Sequence, residues 1–86
     1  MHYVYFLWSE KYQNVYVGCT KNLAKRLKEH NNRLVKSTAK RAPLVLIYNE
    51  EYNDLSEARR REDYLKSLYG YRERENIVKE YFRPEK

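Results

Sequence analysis

Residues 15–30, VYVGCTKNLAKRLKEH, run from a strand into a helix and constrain everything around them. Val15 and Val17 alternate with Tyr16 and Gly18, the period of a half-buried strand. Gly18 closes the run, and Asn22 is a favoured N-cap for the helix after it. From there Leu23 and Leu27 recur at i, i+4. At about 100° per residue, His30 falls within the leucine stripe and Arg26 at its edge, while Lys25, Lys28 and Glu29 point away. An arginine and a histidine turned toward a strand tyrosine make a candidate site rather than ordinary surface.

The segments on either side fit a small mixed fold. In residues 2–8, Tyr3, Tyr5 and Leu7 alternate with Val4, Phe6 and Trp8, which predicts a strand with two usable faces. Residues 9–14 are polar and read as a hairpin connection. If Ser9 opposes Asn14, then Leu7 faces Tyr16 and Tyr5 faces Gly18, with Tyr5 and Tyr16 diagonal on one face. A slip of one residue would part them. Gly18, without a side chain, would leave room above Tyr5 for a backbone or phosphate to approach. Beyond His30, residues 34–41 form a basic loop or short helix. Pro43 then precedes the apolar run Leu44-Val45-Leu46-Ile47-Tyr48, expected to be the middle strand because continuous hydrophobicity suggests cover on both faces. Asn49-Glu50-Glu51 is expected to be a loop approach.

A second helix is predicted from Asp54 or Ser56 to about Leu68, with Ala58, Leu65, Leu68 and Tyr69 as its apolar stripe. Glu62 projects between Ala58 and Leu65. A buried carboxylate there needs a cation, strong donors or a raised pKa, and a salt bridge to Arg61 or Lys66 is the plain alternative to a functional role. Gly70 breaks the pattern. Residues 71–82 read as a last helix with Tyr71, Val78, Tyr81 and Phe82 on one side, ended before Pro84. The fold class is therefore α/β in the α+β sense: a three-stranded, largely antiparallel sheet flanked by helices, one domain over residues 1–86.

A formal net charge of +6, from 18 Lys+Arg against 12 Asp+Glu, suits a polyanion or an acidic membrane surface. Short apolar runs and a mean hydropathy of −1.03 argue against the membrane. The one cysteine, Cys19, excludes an internal disulfide and a Cys-rich zinc site. With no secretory signal visible, a cytoplasmic location is expected.

Tyr16-Val17-Gly18, followed by Arg26 and His30 on the next helix, resembles the second motif and helix of the GIY-YIG endonuclease family. Tyr3-Val4-Tyr5 matches the first motif, and Glu62 in EARRREDYLKSL matches the family glutamate. The likeness spans residues 3–66 in order and is closest to small stand-alone members, similar to the nuclease domain of the excinuclease. One departure is that many members carry a glycine just beyond the position of His30, and this chain has none.

The resemblance implies a divalent-metal-dependent endonuclease that nicks DNA, in repair or another DNA-processing role, with RNA left open as a substrate. Its catalytic residues would be Tyr5, Tyr16, Arg26, His30 and Glu62. One Mg2+ or Mn2+ ion would sit on Glu62, since magnesium is commonly held by a single carboxylate with waters and substrate oxygens completing its shell. Arg26 would clamp the scissile phosphate. Tyr16 would accept the proton of the attacking water, although a free tyrosine is only about one part in a thousand ionised at pH 7. His30 is the chemically easier base and stands as the alternative, hydrogen-bonding phosphate, water or Tyr16. Tyr3, Gly18, Lys25 and Lys36 are expected to meet nucleic acid, together with Thr38, Lys40, Arg41 and Lys66. Asn76 matches a family asparagine only in spacing. A monomer or weak homodimer is expected. The competing readings are a non-catalytic DNA- or RNA-binding module on the same fold, and a small protein-interaction domain using its tyrosines.

Overall fold

The computed structural model describes residues 1–84. Strands β1 (His2–Ser9), β2 (Asn14–Thr20) and β3 (Leu44–Tyr52) form one antiparallel sheet in the order β2-β1-β3. Helix α1 (Leu23–Asn31) follows β2, and α2 (Leu55–Lys66) and α3 (Tyr71–Tyr81) follow β3. A short 3-10 turn, Ala39–Arg41, lies in the basic loop before the cis Ala42–Pro43 bond.

The hairpin register is the expected one, with Ser9 opposite Asn14, Leu7 opposite Tyr16 and Tyr5 opposite Gly18. The middle strand is β1, however, and not the Leu44–Tyr48 segment. The run Tyr3–Trp8 is the longer apolar one, and Val4, Tyr5, Phe6 and Leu7 are all buried. In β3 a register shift opposite Phe6/Leu7 turns Ile47 and Tyr48 to the same cluster, while Val45 stays exposed. Strand β3 also runs on through Glu50 and Glu51, which are strand residues and not a loop.

Alternation along β1 separates two cores. Val4 and Phe6 pack with Val17, Ala58 and Leu65 beneath α2. Tyr5 and Leu7 point the other way and pack with Leu44, Leu46, Tyr16 and the α1 leucines Leu23 and Leu27. Each fully buried aliphatic side chain contributes roughly 1.5–3 kcal/mol, so both layers are needed in a chain this short.

Local chemistry fixes the helices. The Asn22 side chain accepts from the Lys25 N–H at 3.1 Å, and the Asp54 carboxylate accepts from the Ser56 N–H at 2.8 Å. Helix α1 ends with the Leu34 N–H on the Glu29 carbonyl at 2.9 Å and the Arg33 N–H on the His30 carbonyl at 3.1 Å. That is a Schellman closure, and its left-handed position is Arg33, at φ 62°. An arginine thus takes the conformation that favours glycine, which accounts for the turn beyond His30 without one.

Helix α2 stops at Lys66, earlier than its apolar pattern predicts. The Ser67 N–H and hydroxyl both bond the Tyr64 carbonyl, and Gly70 lies against it so closely that a Cβ there would sit 2.0 Å from the oxygen. Leu68 and Tyr69 are therefore 92% and 90% exposed on a turn instead of completing a buried stripe. On α3 it is Ile77 and Val78 that reach the core; Tyr71, Tyr81 and Phe82 are about half exposed. Arg61 does not meet Glu62. It forms a two-point ion pair with Glu50 (2.8 and 2.9 Å) and a further one with Glu73, and the Tyr48 and Tyr52 hydroxyls donate to the same Glu50 carboxylate. Burial pushes the Glu50 carboxyl up, but these four donors outweigh it and hold the group below its usual range.

Candidate active site

The site side of the sheet is built on Tyr5 and Gly18, which face each other across β1 and β2. A Cβ on Gly18 would lie 2.5 Å from both Cζ and Oη of Tyr5 and 2.9 Å from Cε2 of Tyr16. The space above Gly18 is thus filled by the two tyrosine rings and is not open to a phosphate, contrary to expectation. The glycine serves to bring the rings together. Their centroids are 6.2 Å apart, and the His30 ring stands edge-on to both, at 5.8 Å from Tyr5 and 5.1 Å from Tyr16.

His30 is fully buried and both of its ring nitrogens are engaged. Nε2 lies 2.9 Å from the Tyr5 hydroxyl and Nδ1 lies 2.6 Å from the Thr38 hydroxyl. The Thr38 hydroxyl donates to the Val35 carbonyl at 3.4 Å. That direction assigns the proton of the neutral ring to Nδ1, so Nε2 accepts from Tyr5. Burial, with help from Arg26 and Arg41, pulls the His30 pKa down to about 4, which keeps the ring neutral at pH 7. Burial also pushes the Tyr5 hydroxyl up to about 12, although Arg26 pulls the other way. Two expectations change as a result. Thr38 is wholly buried and orients His30, so it is no surface contact for nucleic acid, and His30 hydrogen-bonds Tyr5 and not Tyr16.

Tyr16 differs from Tyr5. It is half-buried, and its hydroxyl has no hydrogen-bond partner among the described residues. Two cations lie over its ring: the Arg41 guanidinium at 5.6 Å from the centroid and the Lys66 ammonium at 5.9 Å. Arg41 is held by the Ser37 carbonyl at 3.2 Å and Asn14 Oδ1 at 3.4 Å. Arg26 sits at the edge of the α1 stripe, 36% exposed, with a 3.0 Å bond to Glu29. Its contacts with the Tyr5 hydroxyl and with Glu29 raise its already high pKa, so it is a permanent cation beside Tyr5.

Glu62 and Lys66, one turn apart on α2, complete the group. Their contact is 2.8 Å, with side chains 18% and 47% exposed. Burial pulls the Lys66 pKa down, but the Glu62 hydrogen bond and charge outweigh it, and the net shift is upward. The carboxylate is therefore paired by a half-exposed cation and not sealed in the core. No cluster of three or more His, Cys, Asp or Glu side chains that could hold a metal occurs among the described residues. A single, partly solvated carboxylate such as Glu62 suits a hard ion that keeps most of its waters, provided Lys66 gives way.

The remaining nominated residues are more dispersed. Tyr3 lies two residues before Tyr5 on β1, paired with Thr20 and Glu51. Lys25, Lys36 and Lys40 are exposed and take no part in the hydrogen bonds of the tyrosine cluster. Asn31 is silent in the sequence, yet its side chain makes paired bonds with the Leu44 backbone (2.6 and 3.0 Å) that pin the end of α1 to β3. No periodicity marks such an asparagine. Two surface depressions, of about 250 and 300 Å³, lie away from the tyrosine cluster, along α3 and the edges of the sheet. At the cluster Tyr16 is half-buried and Lys66 about half exposed, so its outer side meets solvent.

The site thus joins two antiparallel strands that present paired tyrosines to an arginine and a histidine on the following helix and a glutamate on the next. The chain belongs to the GIY-YIG family: the model of the GIY-YIG catalytic domain matches residues 1–84. Among its relatives, a UPF0213 protein of Clostridium perfringens is 45% identical over 69 residues, covering 79% of this chain and 73% of its own length. Another, from Desulfotalea psychrophila, is 40% identical over 62 residues, covering 70% of this chain and 56% of the relative. The solution NMR structure of a UPF0213 protein from Bacillus halodurans superposes with a TM-score of 0.57 at 32% identity, covering 96% of this chain and 87% of that one. No described helix is long and apolar enough to cross a membrane.

Proposed function

We propose that this chain is a divalent-metal-dependent endonuclease that hydrolyses phosphodiester bonds in DNA, one strand at a time, in a DNA-processing role. The observation that carries the reading is the convergence of Tyr16, two flanking cations and the Glu62 carboxylate on one open face, braced by the Tyr5–His30–Thr38 chain. An open basic face suits a polymer whose phosphates arrive in series.

Tyr16 is the better candidate to accept the proton of the attacking water. Its hydroxyl has no hydrogen-bond partner among the described residues, whereas both nitrogens of His30 are occupied and the ring is buried. His30 and Tyr5 act as positioning residues: the Tyr5 proton is directed to Nε2, so the other side of its oxygen is left to accept a bond from water or Arg26. Arg26 neutralises the scissile phosphate, and Arg41 and Lys66 bind its neighbours. A Mg2+ or Mn2+ ion held by Glu62 would supply charge neutralisation at the leaving oxygen.

Conversion of supercoiled plasmid to the open circular form, with Mg2+ or Mn2+ and blocked by chelator, tests this directly. A panel of flapped, branched, single-stranded and RNA substrates identifies the preferred one. The Glu62–Lys66 pair favours one competing reading, a binding module whose acid is permanently neutralised. Salt-sensitive DNA binding without nicking under any of these conditions would establish that reading instead.

A further inference from the structure

Lys66 touches two parts of the site at once: its ammonium is 2.8 Å from Glu62 Oε2 and 5.9 Å from the centre of the Tyr16 ring. It is the last residue of α2, 47% exposed, on a four-carbon stem with freedom to move. Glu62 is far less exposed, and Lys66 is its only ion-pair partner among the described residues, because Arg61 is committed to Glu50 and Glu73. The carboxylate proposed to hold the divalent ion is thus paired with a half-exposed cation on a flexible stem.

We infer that Lys66 is a placeholder for the divalent ion: it occupies the Glu62 carboxylate in the free protein and releases it when nucleic-acid phosphate draws the ammonium toward Tyr16. This deepens the nuclease reading and rests on Glu62 being the metal ligand. Every charge keeps a partner in the exchange: the ammonium passes to a phosphate, and the carboxylate it leaves would be met by the divalent ion. Its consequence is linkage: competition by Lys66 weakens metal binding to the free protein, and nucleic acid relieves that competition. A metal-loaded site would then assemble mainly on substrate.

The test is Mn2+ binding to the free protein, followed by electron paramagnetic resonance or calorimetry, for wild type, Lys66→Met, Glu62→Gln and Arg60→Met. Arg60 is exposed on the same helix, so its replacement removes the same charge without touching the pair. Lys66→Met is expected to tighten Mn2+ binding about 3- to 10-fold, the span for losing a competing, partly exposed charged hydrogen bond. Arg60→Met should change it less than about 2-fold. Equal effects of Lys66→Met and Arg60→Met, with Glu62→Gln still abolishing binding, would overturn the placeholder role alone. Unchanged binding in Glu62→Gln would overturn the metal assignment on which it rests. Thermal melts of the metal-free variants confirm that folded proteins are being compared.

Discussion

Gly18→Ala is the smallest change that tests how the site is assembled. The added methyl would lie 2.5 Å from the Tyr5 ring and hydroxyl and 2.9 Å from Tyr16. Ordinary carbon contacts need about 3.5 Å, so the Tyr5 ring must retreat by about 1 Å. It is 2% exposed and cannot retreat freely. Overpacking of this kind costs about 1–3 kcal/mol. The displaced hydroxyl also loses its 2.9 Å bond to His30, worth about 1 kcal/mol. The unfolded-chain benefit of replacing glycine returns about 0.5 kcal/mol. The net expectation is a loss of about 1.5–3.5 kcal/mol, read by urea unfolding with the single Trp8 as fluorophore. Truncating the obstructing ring should remove most of this penalty, so Gly18→Ala in a Tyr5→Leu background should cost under about 0.5 kcal/mol. If Gly18→Ala in the wild-type background stays within about 0.5 kcal/mol, the close packing of the tyrosines over Gly18 is wrong.

Four further outcomes are expected. His30 is neutral when folded, with its pKa lowered to about 4, and takes up a proton near 6.5 when unfolded; stability is therefore present above 6.5 and lost as pH falls toward 4, by about 2 kcal/mol between pH 7 and 5. Urea titrations at both pH values should show that slope in wild type and lose it in His30→Gln. Tyr16→Phe should fold normally and reduce nicking by about 10²–10⁴-fold, and near-normal turnover would remove Tyr16 from proton transfer. Because Lys66 is half exposed, Glu62→Gln should cost under about 1 kcal/mol in metal-free buffer while nicking collapses and DNA binding persists. A large fall in melting temperature would instead mark Glu62 as a structural acid. DNA affinity should weaken steeply from about 50 to 200 mM salt through counterion release, and a flat response would discard the polyanion partner.

The hairpin register was legible because two local signals agreed: the polar gap from Ser9 to Asn14 and the two-residue period on either side of it. The same holds for Asn22 and for the inward His30, whose place follows from the leucine stripe. Strand order was not, since two apolar runs competed for the centre and only the pairing of their edges decides between them. Helix α2 outran its true end on pattern because Leu68 and Tyr69 keep the helical period after Ser67 and Gly70 have already turned the chain. The roles of Thr38 and Glu50 depend on partners in other elements, His30 and Arg61, and no strand or helix period links either pair. The part Arg33 plays in the turn beyond His30 was silent for a different reason: it occupies a left-handed position usually taken by glycine or asparagine.

Strand β1 places core and chemistry on alternate residues of one central element, with Val4 and Phe6 on one side and Tyr5 and Leu7 on the other. Its backbone is bonded along both edges, so its amide protons should exchange with solvent only through global opening, as the last to be released. Loss of Tyr5 from the site and loss of the fold are consequently a single event, with no frayed form that keeps the core and forfeits the chemistry. Freer ground lies only at the exposed positions bordering the site, such as Leu34, Lys36 and Lys40 in the loop after α1 and Leu68 and Tyr69 in the turn after α2, where new side chains alter the surface without disturbing the sheet.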